Sequence, residues 1–579
     1  MNRSPFLSRL MSAFRLFVLA IGLLTLQPHL PAFAQDETEE EEAPPELMEK
    51  PIATIAVASV ERLRGDIKHI FEVVDRADVY EAMESALTNV GDLKGMDQTK
   101  PFGAMVYLRA GFPPTPEVIG FVPVEDITDL TKTIEIGPVL TKKVDENRYE
   151  IIGERGEFHV LLQHGFGFIT ANADLLENGF SDPAKLTRGL TSKFDVAASL
   201  NLDSIPSGMR SLFMTFVKSQ ANAEMQQRDD EPDGVYKIRR AQSENTLRGL
   251  TQIMNELEKA TIGFDANPEN STLSVELILD AQEDSLMAKQ LKRMNSKRSY
   301  FDPLVTEDAP LTFSASFPIE EPDQETNKMA LEGLEELVAV ELAEGSEARN
   351  TPAITSLFQA LHKTNEEAHL NMFLQFYGEP KGFVIVGGMK VEDGQDMAAG
   401  LKELLMKLQE DADLEIGKIE LDYDTHRDIT FHHFGFKQVD AGGRRMFGDR
   451  VGLYAGVGRK TLWFAAGGDA ALEKTKELMD KLVDEKGNRN RTRRPPFQLI
   501  FNMRQWLGLD EDGEGIQHDA FADGGDRLSV DIRPTDNGMR IKANMDAGFV
   551  RLIGMGAAQG FDRRNDRRES RGRGRRPGQ

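Results

Sequence analysis

The chain of 579 residues contains no cysteine and only two tryptophans. Without cysteine it can form no disulfide, no thiolate nucleophile, no zinc–thiolate site, no iron–sulfur cluster and no lipid anchor on a cysteine. Beyond the first 34 residues, no stretch reaches the roughly 18 consecutive apolar residues of a membrane-spanning helix. We therefore expect a mature chain with no transmembrane segment, whose stability comes from apolar burial.

Basic residues are in deficit, since 69 lysines and arginines stand against 95 acids and the net charge is −26. Such a charge repels nucleic acid, which we exclude as a partner. A hydrophobic content of 40% with 28% charged residues is typical of a globular protein. Because single cores stop growing near about 250 to 300 residues, we expect at least two domains.

The common catalytic motifs are also absent. The sequence contains no G-x-S-x-G, no G-x-x-x-x-G-K-[ST] and no H-E-x-x-H. We predict a protein that is not an enzyme and that carries no cofactor. An exported enzyme of an unrecognised type is the alternative.

The N-terminus has the pattern of a secretory signal peptide, predicted over residues 1–34. Three arginines precede an apolar run at 17–26, and Ala-Phe-Ala follows at 32–34. The mature chain is then expected to begin at Gln35, in the periplasm or outside the cell. Residues 35–52 are predicted to be an acidic disordered spacer.

The C-terminus, residues 561–579, is rich in arginine and glycine, and we predict a disordered tail there. Its charge is opposite to that of the rest of the chain. Arginine pairs bidentately with phosphate or carboxylate, so the tail either contacts an anionic envelope polymer or lies solvated against the acidic body.

An internal match organises the region between these ends. Residues 104–130 align without a gap to residues 371–397, with eight identities in 27 positions. A second match pairs residues 267–281 with residues 533–547, where apolar residues alternate with polar ones as in a half-buried strand. We predict two tandem copies of one α+β module, at 53–300 and 310–558.

Each copy contains paired strand patterns joined by short turns. Short turns connect antiparallel neighbours, whereas parallel neighbours need a crossover of a dozen residues or more. The predicted fold class is therefore α+β, with an antiparallel sheet and helices packed on one face in each module.

Several segments of the first module resemble a group of uncharacterised exported proteins of planctomycete bacteria. They are VERLRGDI at 60–67, FVPV at 121–124, FDVAASLNLDSIPSGMR at 194–210 and ATIGFDANPENSTLSVEL at 260–277. The resemblance implies export. It implies no activity, cofactor or site residue.

Both copies carry Val-Glu-Asp-x-x-Asp, with acids at Glu125, Asp126 and Asp129 and again at 392, 393 and 396. Three carboxylates in five residues are suited to calcium or magnesium. An aspartate that caps a helix, with further acid in its first turn, explains the same pattern. We interpret the acids as caps and predict no metal.

Two further patterns suggest a metal and fail on chemistry. The loop from Asp510 to Gly515 resembles half of an EF-hand, but the twelfth position is Phe521 instead of glutamate. His432 and His433 are adjacent in a strand and point to opposite faces, so they cannot bind one ion together. We interpret His159 and His164 as polar strand and turn positions.

Two clusters of basic residues are the remaining candidate site. They either contact a polyanion or belong to a solvated loop and a solvated tail. The residues are Lys486, Arg489, Arg491, Arg493 and Arg494 in one run, and Arg571, Arg573, Arg575 and Arg576 in the tail.

The function predicted from these patterns is an exported, non-enzymatic binding or structural protein of the bacterial cell envelope. Its partner is expected to be an anionic envelope polymer or a protein. A carrier of a lipid or another apolar ligand is the alternative, because 33 phenylalanines and 23 methionines supply an adaptable apolar lining.

Overall fold

The structure is a computed structural model, and it describes residues 50–573 with short internal gaps. The gaps are residues 90, 110–114, 136–138, 154–155, 178, 295, 342–351, 411–415, 437, 486–493 and 511–514. The predicted signal peptide and nearly all of the predicted acidic spacer lie outside the described residues, so both stay predictions.

The described residues form twenty strands, ten in each half, and many of these strands follow one another as hairpins with helices between the hairpins. The first ten are β1 (Ala53–Val57), β2 (Phe102–Arg109), β3 (Thr115–Pro123), β4 (Leu140–Lys143), β5 (Arg148–Gly153), β6 (Gly156–Gln163), β7 (Phe166–Thr170), β8 (Val196–Asn201), β9 (Leu257–Asn267) and β10 (Thr272–Ala281). The second ten are β11 (Leu311–Pro318), β12 (His369–Tyr377), β13 (Val384–Lys390), β14 (Ile416–His426), β15 (Ile429–Phe436), β16 (Gly452–Val457), β17 (Thr461–Gly467), β18 (Phe497–Asn502), β19 (Arg527–Pro534) and β20 (Gly538–Met545).

The α-helices of the first half lie between these strands in the sequence and after the last of them. They are α1 (Val60–Glu72), α2 (Ala77–Asn89), α3 (Ile127–Ile134), α4 (Pro183–Thr191), α5 (Ser207–Glu224), α6 (Asp233–Glu256) and α7 (Leu286–Arg293). Those of the second half are α8 (Glu321–Glu341), α9 (Pro352–Glu366), α10 (Gly394–Glu410), α11 (Ala441–Phe447), α12 (Ala470–Asp484), α13 (Arg504–Leu507), α14 (Ile516–Phe521) and α15 (Ala547–Arg573). None of the described helices is long and apolar enough to cross a membrane.

Side-chain caps decide where several helices begin. The Ser59 hydroxyl accepts from the Arg62 N–H at 3.0 Å at the start of α1, and Asp126 accepts from the Thr128 N–H at 2.8 Å at the start of α3. Each cap satisfies an amide that has no partner inside its helix. The interpretation of Asp126 as a cap is confirmed.

All twenty strands belong to one sheet in which every pairing is antiparallel. The order across the sheet is β4-β5-β6-β7-β3-β2-β1-β8-β9-β10, then β20-β19-β18-β11-β12-β13-β17-β16-β15-β14. Each strand of the second half thus has the same neighbours as the strand ten places earlier in the first half. The large antiparallel sheet in a mixed helix and strand chain is as predicted.

The two halves join through the antiparallel pair β10 and β20. The register runs from Leu273 opposite Met545 to Asp280 opposite Gly538. At its middle Glu276 lies opposite Lys542, and their charged groups are 2.8 Å apart. The junction therefore joins the halves by a continuous hydrogen-bonded ladder.

The prediction that helices cover one face of the sheet is wrong for the second half. In β17, Trp463 packs with Leu472 and Leu478 of α12, whereas Leu462, which points to the opposite face, packs with residues of α9 and α10. Strands such as TLWFAAG carry apolar residues at both odd and even positions, so both of their faces can be buried.

The segment between the predicted modules is part of a core. Phe301 and Leu304, which follow the predicted end of the first module at residue 300, are fully buried among second-half residues. The Phe301 ring lies 4.9 Å from that of Phe373 and 5.8 Å from that of Trp463, measured between centroids. The second core therefore begins before residue 310.

The C-terminal tail also differs from its prediction. Helix α15 continues to Arg573, so residues 561–573 are helical and only residues 574–579 lie outside the described residues. Phe561 packs against Phe71 and Val79, and Asp562 pairs with Arg76 at 2.9 Å. These contacts explain how an arginine-rich segment becomes ordered, because its first residues anchor on α1 and α2.

Candidate functional site

The two faces of the sheet differ in what covers them. In the first half, one face carries Met105, Phe121 and Phe168, which form a core with α4. The neighbouring residues in each strand point to the other face. That other face is apolar as well, and the described residues leave much of it uncovered.

Following the register across the sheet shows how far the apolar residues extend. One row crosses nine adjacent strands and contains no polar residue: Ile169, Gly120, Ala104, Ile55, Ala198, Ile262, Leu277, Ile541 and Ile532. A polar side chain would be expected at these positions if the face were simply solvated. The composition of the row therefore indicates a surface that is meant to be covered.

Five large apolar side chains on this face are 40% exposed or more. They are Phe158 (43%), Val118 (58%), Ile55 (51%), Leu200 (40%) and Ile262 (52%), and we call the surface they share the open apolar face. Between them lie small residues, which are Ala53, Ala104, Gly120, Ala198 and Ala260. The result is a relief of knobs and hollows with strand-to-strand spacings of about 4.8 Å.

Helices bound the open apolar face where the halves meet. At one end of β9 and β10, residues of α6 and α7 cover Ala260 and Leu279. At the other end, Val550 of α15 and Ile70 of α1 cover Leu273. The uncovered strip between these clusters continues from Leu277 over the first-half strands.

The chemistry of this face is restricted to apolar contact. The backbone groups are paired in the sheet and the row side chains carry no donor or acceptor. Burying the exposed half of an isoleucine or leucine side chain stabilises a complex by about 1 kcal/mol. The alternation of each strand is visible in the sequence, but which of its two faces remains open is not.

The predicted cation cluster is only partly described. Arg494 donates to the Val305 carbonyl at 2.9 Å, so it ties β18 to the segment before β11. Lys486, Arg489, Arg491, Arg493, Arg575 and Arg576 lie outside the described residues. Arg571 and Arg573 lie in the last turn of α15. The polyanion contact therefore stays a prediction.

The repeated acidic motif differs between the halves. In the first half, Asp126 caps α3 and Asp129 pairs with Lys132 at 3.1 Å. In the second half, Glu392 pairs with Lys460 and Asp393 pairs with Lys363. Lysines thus already supply positive charge where the sequence motif suggested a metal ion.

The histidines of β15 bind separate partners, and the two residues lie on opposite faces as predicted. His432 is buried and accepts from the Asp422 N–H at 3.1 Å. Burial lowers the pKa of His432. His433 lies 3.1 Å from the Glu420 carboxylate. Phe521, at the twelfth position of the EF-hand-like loop, is fully buried, so it belongs to the core.

Among the described residues, one group of three has metal-ligand atoms close together. It contains Glu150, Glu157 and His159, whose ligand atoms lie within 4.8 Å of one another. The pattern Glu-x-His on one strand face was the available signal, and sequence reasoning overlooked it. Lys142 lies 2.8 Å from Glu150 and already neutralises that carboxylate, so we assign no metal here.

A cluster of carboxylates lies where α1 meets β8 and β9. Arg62 pairs with Asp195 and, at 2.8 Å, with Asp265, while Asp66 is buried beside them. Burial first, and then the Asp195 carboxylate, raise the pKa of Asp66 from 3.8 to about 7. The Asp66 Oδ2 atom is buried and has no hydrogen-bond partner among the described residues, so a proton on this carboxyl group removes a buried charge. Sequence reasoning missed this cluster, because its members are up to 203 residues apart.

Comparison of the chain with protein-family models, with curated proteins and with solved structures gave no match. The function must therefore be argued from the residues and their geometry.

Proposed function

We propose that this protein is an exported, non-enzymatic binding protein of the bacterial cell envelope, and that it holds acyl chains of a lipid on the open apolar face. The observation that carries the proposal is the unbroken apolar row together with the five large exposed side chains on the same face of the sheet. Contiguous exposed apolar surface of this kind marks a binding site in soluble proteins. Export rests on the N-terminal pattern alone.

The relief of the face favours an acyl chain over a polar ligand. Ile55 and Ile262 stand on either side of Ala198, in strands β1 and β9 that flank β8. Two strand spacings separate them, which is about 10 Å. A hollow of that width accommodates a hydrocarbon chain, and a chain needs no hydrogen bond from the protein.

Charge argues against a second copy of the protein as the occupant. Each chain carries a net charge of −26, so two copies meeting face to face would repel one another. A lipid chain adds no charge at the surface it covers.

The proposal is tested with a fluorescent fatty acid, cis-parinaric acid, titrated into the mature protein. We expect saturable binding, and we expect Ile262→Asp to weaken it at least tenfold, because a carboxylate in the hollow must lose its hydration when the chain binds. Leu212→Asp is the matched control, since Leu212 is equally apolar and 58% exposed but lies on α5. Equal binding by all three proteins, with folding verified by circular dichroism, would refute the proposal.

We further propose that the two halves derive from one duplicated module. The shared pairing order and the internal sequence matches support this. If it is correct, residues 35–295 and 296–579 produced as separate chains should assemble through β10 and β20. Failure of the two folded halves to associate would count against a module built to pair with its own copy.

A further inference from the structure

A second pocket lies in the other half of the molecule, at the ends of β12 and β13. It has a volume of about 200 Å³, and the residues that matter for its chemistry are Lys297, Arg298, Tyr300, His369, Asn371 and Lys390. Following the register places His369, Asn371 and Lys390 on the side of the sheet opposite to the open apolar face. The pocket and the open apolar face therefore lie on opposite sides of the sheet.

Buried and half-buried hydrogen bonds connect the residues that line this pocket. The Asn371 side chain donates to Ser316 Oγ at 3.2 Å, and Ser316 Oγ lies 3.1 Å from His369 Nε2. The Asn371 carbonyl oxygen accepts from the Tyr300 N–H and from Ser299 Oγ, both at 3.2 Å. Asn371 therefore holds the segment that carries Lys297 and Arg298 against the end of the sheet.

The positive charges of the pocket have no acidic partner among the described residues. No carboxylate in the described part of the chain forms an ion pair with Lys297, Arg298 or Lys390. Of the two glutamates in the wall, Glu392 pairs with Lys460 and Glu367 is exposed. Lys390 Nζ lies 5.9 Å from the centroid of the Tyr300 ring, so its described contact is with an aromatic ring and not with a carboxylate. Three cations without a carboxylate partner in the described part of the chain are unexpected around one cavity of a protein with a net charge of −26.

The neighbouring histidine senses this charge. Burial first, and then Lys297 and Lys390, lower the pKa of His369 from 6.5 to about 4. His369 is therefore neutral at physiological pH, and it adds no positive charge. The lysine contribution to this shift shows that the positive charge of Lys297 and Lys390 reaches His369, whereas burial, the larger cause, disfavours a charge of either sign.

We propose that this pocket binds a phosphate dianion, either inorganic phosphate or the phosphomonoester group of a soluble molecule. The guanidinium of Arg298 offers a planar pair of donors for two phosphate oxygens, and the ammonium groups of Lys297 and Lys390 add positive charge to the same lining. The proposal is independent of acyl-chain binding, because it uses a different half and a different face.

The test is isothermal titration calorimetry of the full-length mature protein with sodium phosphate, at constant ionic strength set with chloride. We expect wild-type binding and at least a tenfold loss in the variant Lys297→Gln with Lys390→Gln. Lys132→Gln is the matched control, because Lys132 is an exposed lysine on α3 of the other half. The proposal is overturned if the wild-type protein shows no binding at phosphate concentrations up to about ten times the millimolar physiological level. It is also overturned if the double variant binds phosphate as tightly as the wild-type protein does.

A second readout separates a specific site from general charge attraction. Phosphate bound beside the two lysines offsets their field, so the pKa of His369 measured by NMR should rise on saturation. An unchanged His369 pKa in saturated protein would place the phosphate elsewhere and overturn the assignment. Vesicles containing phosphatidic acid form the other arm, since binding to vesicles without binding to free phosphate would identify a lipid headgroup and contradict a soluble ligand.

Discussion

The ion pair at the junction of the two halves gives a prediction with a calculable magnitude. Lys542 Nζ lies 2.8 Å from Glu276 Oε1, and the exposed fractions of the two side chains are 32% and 11%. Removing one partner of a fully buried pair costs about 3–5 kcal/mol. Because Lys542 is partly solvated and Arg540 lies 3.9 Å from the other Glu276 oxygen, we expect Lys542→Met to cost about 2 kcal/mol.

The assay is urea unfolding followed by two signals. Both tryptophans, Trp463 and Trp506, lie in the second half, so their fluorescence reports on that half, whereas far-ultraviolet circular dichroism reports on both. Since β10 and β20 join the halves in one sheet, the variant should shift both transitions together. Adding Glu276→Gln to Lys542→Met should recover part of the loss, because no charge is then left buried.

The control is the exposed pair of Lys132 with Asp129, whose charged groups are 3.1 Å apart. Lys132→Met should cost less than about 0.5 kcal/mol, since solvent screens an exposed pair. The reasoning is refuted if Lys542→Met is as mild as Lys132→Met, or if only the circular dichroism transition moves.

Three further predictions follow from single residues. First, Asp66 keeps its proton in the folded protein up to about pH 7 but loses it near pH 3.8 when unfolded, so the unfolding free energy should fall as pH rises through this window. The difference in unfolding free energy between Asp66→Asn and wild type should therefore change by up to about 4 kcal/mol in favour of the variant from pH 4 to pH 7. If the unfolding free energies of the two proteins depend on pH in the same way, the raised pKa of Asp66 is contradicted. Second, Gly234→Ala should lower the unfolding free energy by about 2 kcal/mol, which is typical of an overpacked site. An added Cβ would lie 2.5 Å from the Gly333 carbonyl oxygen, where α6 crosses α8. Gly249→Ala in the same helix meets nothing within 4 Å and should stabilise by about 0.5–1 kcal/mol, and the reverse order of melting temperatures would exclude the close crossing. Third, Asp126→Ala should cost about 1 kcal/mol through loss of the α3 cap, while Asp129→Ala should change little and added calcium should stabilise neither; a calcium-dependent melting temperature would restore the metal interpretation.

The local elements could be predicted, because alternation, turns and caps are written in short stretches. The hairpins of both halves and the Asp126 cap follow directly from such patterns. The coverage of the sheet could not be predicted, since alternation defines two faces without stating which one a distant helix will cover. Leu462 and Trp463 illustrate this, as both are apolar and each meets different helices.

The strand register of the two internally matched segments could not be predicted from the sequence either. The ungapped alignment equates Met105 with Met372. The ladder of pairings places Met105 on the same face as Phe373, so Met372 points to the opposite face. The turn after β12 must therefore differ from that after β2, and a one-residue slip moves every side chain across a sheet.

Long-range contacts account for the other differences. Phe561 follows Ala558 by one helical turn and packs on Phe71, although composition alone made its segment look disordered. The carboxylate cluster and the phosphate pocket likewise combine residues from separate strands and helices. No local pattern in the chain encodes such combinations.

The most direct test of the central claim locates the acyl chain on the protein. A fatty acid carrying a photoreactive diazirine is bound to the mature protein, irradiated and mapped by peptide mass spectrometry. We predict crosslinks in the peptides that contain Ile55, Val118, Leu200 and Ile262, with competition by unlabelled fatty acid. Crosslinks confined to other surfaces, such as Leu212 and Phe216 on α5, or no competed crosslink at all, would contradict the assignment of the open apolar face as the binding site.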